Sequence, residues 1–174
     1  VSVSVGPTLV PNGHVLANVG DVFNAVYVRG DIVGDTLYYG RGAGRFATAS
    51  AVLSDLADAA LDLDQGGKSR LPAFVPHERG GRLLPAAAAV SSYYLRLSVT
   101  DRPGVLARIA AHLAKEQIGI SSVIQPEGHE GASVPLIFML HDSPRRAVDR
   151  AMAAIRKLPV VTGKPALFRV ETFQ

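Results

Sequence analysis

The sequence predicts an α+β chain in two parts. A strand-rich segment with one long helix comes first. A unit of order βαββαβ follows, the order of a ferredoxin-like antiparallel sheet with two helices on one face. Three observations carry this. Apolar and polar residues alternate from Leu95 to Thr100. Two stretches of helical periodicity, starting near Val105 and Val148, interleave with strand-like runs. A stretch rich in proline and glycine, residues 66–92, separates this unit from the segment before it.

In the first part, 1–65, Ser2-Val3-Ser4-Val5 alternates as a half-buried strand does. Phe23–Val28 and Thr36–Tyr39 read as two further strands across the Gly30-Asp31 turn signal. Tyr39-Gly40-Arg41-Gly42-Ala43-Gly44 then joins strand to helix. Glycines at that junction let backbone N–H groups approach an anion, and the helix start adds its positive end. The spacing is not the full dinucleotide fingerprint, because Arg45 stands where a third glycine would fall. In the helix, Val52, Leu53, Leu56, Ala60 and Leu63 share one side, and Asp55, Asp58 and Asp62 share another. So few strands do not cover a sheet on both faces, so the part reads as the tail of a larger domain.

The linker holds Pro72, Pro76, Pro85, the pair Gly80-Gly81 and the run Ala86–Ala89. In the second part, 93–174, Leu95, Leu97 and Val99 point one way from the first strand. Asp101-Arg102-Pro103-Gly104 opens a helix, Asp101 reading as its cap and Pro103 as its early proline. Val105, Leu106, Ile109, Ala110 and Leu113 form the buried stripe, and Gly119 reads as the stop. Strands follow at Ile120–Gln125 and Val134–Leu140, with a turn over Glu127–Gly131 between them. Ser143-Pro144 begins the second helix, which buries Val148, Met152 and Ile155, and Ala166–Glu171 is the last strand. The sheet face away from the helices is left for another copy or another domain.

Of 174 residues, 48% are hydrophobic and 19% charged, a globular composition. The net charge of +3 is uneven: residues 1–64 carry three basic and seven acidic side chains, residues 93–174 eleven and seven. The basic residues are scattered and there is no Trp, which argues against a nucleic-acid partner. No apolar run spans a bilayer, and no leader pattern is visible. The lack of Cys excludes disulfides and thiolate metal sites and fits a cytoplasmic protein. None of the five His has metal-ligand spacing, and neither Ser50 nor Ser54 has a base in sequence context, so no metal site and no catalytic residue is assigned.

Pro7–Pro11, Val22–Val26, Gly30-Asp31, Tyr39–Gly44 and Thr48–Val52 together resemble the end of the catalytic domain of homoserine dehydrogenase. Tyr94–Leu97, Asp101–Leu106 and Ile120–Gln125 resemble the ACT regulatory module found after it in many bacterial members. Gly6 departs from the family, where His often stands. The resemblance implies an NAD(P)-dependent oxidoreductase interconverting aspartate semialdehyde and homoserine, in the synthesis of threonine, methionine and isoleucine. It implies that the nucleotide-binding domain and catalytic lysine lie upstream of Val1, and that this chain alone is inactive. It places Gly40, Gly42, Ala43 and Gly44 against NADP or NAD. It places Asp101, Gly104 and Val105, facing Ile124 and Gln125 of a neighbouring copy, around an amino-acid effector, with threonine favoured by Gln125, and implies a homo-oligomer, a dimer in its simplest form, through the ACT units. The alternative is a purely regulatory amino-acid-binding and oligomerisation module.

Overall fold

In the computed structural model, residues 1–67, 82–126 and 132–173 are described. They fall into two compact units, Val1–Pro11 with Gly81–Gln174, and Asn12–Gly80.

The larger unit holds a five-stranded sheet. Its strands are β1 (Thr8–Leu9), β4 (Val90–Thr100), β5 (Ile120–Ile124), β6 (Ser133–Pro144) and β7 (Ala166–Val170), in the order β1-β7-β4-β6-β5. Two helices, α2 (Val105–Lys115) and α3 (Arg145–Ile155), complete the βαββαβ order. Alternation along β4 puts Tyr93, Leu95, Leu97 and Val99 in the core. They meet Leu136 and Phe138 from β6, Ile109 and Leu113 from α2, and Val148, Met152 and Ile155 from α3. Seventeen hydrophobic side chains are buried among the described residues, and all lie in this unit, which is therefore the part with a core of its own. The opposite sheet face carries Tyr94, Ile137, Met139, Phe168 and the 54% exposed Ile124.

The smaller unit is an antiparallel hairpin, β2 (Phe23–Gly30) against β3 (Gly34–Arg41), followed by the 20-residue α1 (Arg45–Asp64). The hairpin carries a stacked Phe23–Tyr39 pair, 4.9 Å between ring centroids, with the Arg41 guanidinium over Phe23 at 5.2 Å. No residue of α1 is buried, and Val52, Leu53, Leu56 and Leu63 of its apolar side are each more than half exposed.

Four sequence expectations are corrected. Ser2–Val5 is not a strand: Val3 and Val5 are exposed, and the pairing falls instead on Thr8–Leu9, parallel to β7. Alternation marks a strand only where a partner edge lies alongside. Asp101 does not cap α2. The cap position is Gly104, at φ +84°, and it puts Pro103 outside the helix. Gly119 does not end α2 either; the turn after Lys115 is made by Gln117 at φ +60°. Gly119 sits where a Cβ would come within 2.9 Å of the His141 ring, so close packing explains it. Finally, β6 is longer than expected and runs to Pro144, which takes the cap position of α3. The alanine run forms only a short 3-10 turn, Ala86–Ala88, and the expected turn over 127–131 lies outside the described residues.

Candidate functional site

The glycine segment is not one loop. Gly40 lies within β3, paired with Asn24. Gly42 follows the strand and donates its N–H to Val22 O at 3.0 Å. Gly44 takes the cap position of α1 at φ +120°, a conformation that L side chains rarely adopt. A Cβ on Gly42 would stand 1.7 Å from Asn24 Nδ2 and 2.4 Å from its Cγ. Gly42 thus makes room for the Asn24 side chain, and its N–H is taken by the hairpin.

What remains for a ligand is a hollow of about 290 Å³ lined by Arg41, Ala43, Gly44, Arg45, Phe46 and Ala47. Its floor is apolar, and the Arg45 guanidinium lies over the Phe46 ring at 4.7 Å. The first-turn N–H groups of α1 have no acceptor within the helix. The hollow is almost wholly apolar: the Arg41 guanidinium lies over Phe23 and that of Arg45 over Phe46, and the space around Gly44 is open. Among the described residues the only parallel pairing is the two-residue β1–β7 contact, so no dinucleotide-binding βαβ unit is present.

The second predicted cluster sits where β4 turns into α2. Asp101 N donates to Ala132 O at 2.9 Å, and Asp101 Oδ1 accepts from Gln125 Nε2 at 3.0 Å. The fold thus brings Asp101 and Gln125 together within one chain. Gly104 is exposed beside them, its left-handed φ turning the backbone into α2. Val105 is 5% exposed and packs into the core, so only its backbone faces the turn. Ile124 is exposed on the open sheet face. The turn therefore gathers a carboxylate, a side-chain amide and a helix start.

A network on the hairpin had no sequence signal. Arg29 Nε and Nη2 reach both oxygens of Asp35, at 2.7 and 3.1 Å, and Nη2 reaches Tyr27 Oη at 3.2 Å. The Arg29 hydrogen bonds hold the Asp35 carboxyl down at about 2, and Asp35 in turn raises Arg29. No group of His, Asp and Glu suited to a metal ion occurs among the described residues, and none of their helices is long and apolar enough to cross a membrane.

A βαββαβ unit with helices on one face, preceded by a strand–glycine–helix segment, defines the class as a ferredoxin-like α+β unit joined to a second, smaller unit. The particular family follows from comparison with known proteins. Residues 1–57 match the homoserine dehydrogenase family, and residues 93–160 match the ACT domain. The homoserine dehydrogenase of Pseudomonas aeruginosa is 42% identical over 171 residues, 96% of this chain and 39% of the relative. That of Neisseria gonorrhoeae is 39% identical over 175 residues, 99% of this chain and 40% of the relative. The crystal structure of a homoserine dehydrogenase from Thiobacillus denitrificans matches 98% of this chain and 39% of its own, with a TM-score of 0.82 at 40% identity. The chain is homologous to the C-terminal part of homoserine dehydrogenases, the end of the catalytic domain followed by an ACT domain. It spans about two-fifths of the length of the curated relatives it matches.

Proposed function

We propose that this chain serves as the C-terminal part of a cytoplasmic homoserine dehydrogenase, an NAD(P)-dependent oxidoreductase that interconverts aspartate semialdehyde and homoserine. Residues 1–65 end the catalytic domain, 66–92 link, and 93–174 form the ACT domain. The observation that carries this reading is the 42% identity along 96% of the chain, through both parts and in the same order. The nicotinamide supplies the hydride chemistry when bound, and the protein's part is to hold and orient it. In that role Ala43, Gly44 and the two arginines beside them form one wall for the cofactor. The apolar side of α1 fits burial against the rest of the catalytic domain.

Asp101, Gly104 and Gln125 are the proposed contacts of an amino-acid effector, which we take to be threonine. Its carboxylate would meet the start of α2, its ammonium Asp101, and its hydroxyl the Gln125 amide. The open sheet face, with Tyr94, Ile137, Met139 and Phe168, suits pairing of ACT units in a homo-oligomer.

The test compares the 174-residue chain with the same chain joined to a homoserine dehydrogenase N-terminal region. The chain alone should reduce no NADP in the presence of homoserine, and the joined protein should. Activity of the chain alone would overturn the assignment of catalysis to residues outside it.

A further inference from the structure

The larger unit contains a second cavity at the far end of β4 from the Asp101 turn. It has a volume of about 500 Å³, within the range of small-molecule sites. Its charged and polar rim is Arg145, Asp149, Arg169 and Tyr93. Its apolar wall is Val3, Val5 and the alanines of the 3-10 turn.

The walls are tied down on each side. Arg145 N donates to Ala89 O at 2.9 Å, which fixes the alanine turn against the start of α3. Leu84 N donates to Val1 O at 2.8 Å, and an Arg169 Nη1 to Ser4 Oγ hydrogen bond holds the opening segment over β7. Arg145 uses Nε on Asp149 Oδ1 at 2.8 Å, which leaves its terminal amino groups for another acceptor. Arg169 likewise keeps nitrogens beyond the one used on Ser4. Tyr93 is 3% exposed, and its phenol lies in the field of all three charged neighbours. Two guanidiniums face one carboxylate, so the cavity has a positive charge to spare.

We propose that this cavity is a second ligand site, which takes a small organic carboxylate between Arg145 and Arg169. Guanidinium groups bind carboxylates through paired, charge-assisted hydrogen bonds, and here two of them line one hollow. A ligand that also carries an ammonium has Asp149 within the same rim. The site is separate from the Asp101 turn. Tyr93 and Asp101 are eight residues apart on an extended strand, roughly 27 Å. One site can fill without blocking the other.

The test uses L-aspartate and succinate as probes on the 174-residue chain carrying Asp101→Ala and Gln125→Ala, so that the turn site cannot contribute. Calorimetry is run at fixed ionic strength, with NMR of the arginine Nε–H and tyrosine ring signals. The expected result is saturable binding of at least one probe, with shifts at Arg145, Arg169 and Tyr93. Affinity should fall at least tenfold in Arg145→Gln and in Arg169→Gln, with circular dichroism unchanged. Tyr93→Phe, which removes only a hydroxyl, should weaken binding severalfold and guards against an unfolded arginine variant. Preference for L-aspartate over succinate assigns the ammonium to Asp149, and equal binding assigns recognition to the carboxylate alone. The proposal falls if neither probe binds by about 10 mM, a binding free energy of only about −2.7 kcal/mol. It falls equally if the Arg145→Gln, Arg169→Gln double variant binds as before.

Discussion

Gln125 donates from Nε2 to Asp101 Oδ1 across 3.0 Å, and so ties the end of β5 to the turn ahead of α2. These are the two side chains that the effector reading needs, and each is the other's hydrogen-bond partner. An effector that uses both must replace this bond.

In a double-mutant cycle, Asp101→Ala and Gln125→Ala should couple by roughly 0.5–1.5 kcal/mol, read by urea denaturation of the chain. Titration with threonine should show the larger loss with Asp101→Ala, which removes the ammonium partner. Equal threonine affinity in both variants and the parent would remove these residues from the effector site.

Gly42→Ala separates structure from cofactor use. The new Cβ forces the exposed Asn24 side chain to move, at a cost of about 1 kcal/mol. Asn24→Ala should relieve most of that cost. If the glycine serves only the hairpin, the double variant placed in a full-length enzyme will have a normal cofactor KM. A KM that stays raised while stability recovers would show direct cofactor contact.

Gly104→Ala should destabilise the ACT domain by roughly 1–2 kcal/mol, the cost of a left-handed residue with a Cβ. The space around Gly104 is open, so the loss is conformational and not a clash. Gly104→Asn should lose less, because Asn tolerates that region better. Chemical denaturation midpoints measure both.

The Asp35 carboxyl should titrate near 2, against an ordinary value of 3.8, because Arg29 binds its charged form. A lowered folded value means that the carboxylate supports the hairpin fully above about pH 4 and that this support fades toward pH 2. NMR titration of the Asp35 side chain checks the midpoint. Arg29→Gln should return it to the usual carboxylate range.

The ACT fold was legible because periodicity and burial agree there. Leu95, Leu97 and Val99 alternate, and Val148, Met152 and Ile155 keep helical spacing, and all six are buried. The Ser2–Val5 pattern failed because alternation says nothing about whether a neighbouring strand exists. Asp101 has the chemistry of a cap, but Gly104 reaches the cap position first, and the carboxylate turns to Gln125 instead. Asp101 and Gly104 could be read as turn chemistry near a helix start, but not the bond that Asp101 makes to Gln125. Arg145 and Arg169 could not: they are 24 positions apart, belong to different elements, and meet only through the tertiary fold.

One end of the five-stranded sheet is closed by β1, whose two residues lie in the sequence Pro7-Thr8-Leu9-Val10-Pro11. Prolines lack the N–H that an incoming strand would need, so that border makes a poor template. The other border is β5. A sheet with a single usable border cannot polymerise side by side. Two such sheets that met along β5 would exhaust each other's pairing capacity, and growth would stop at the pair.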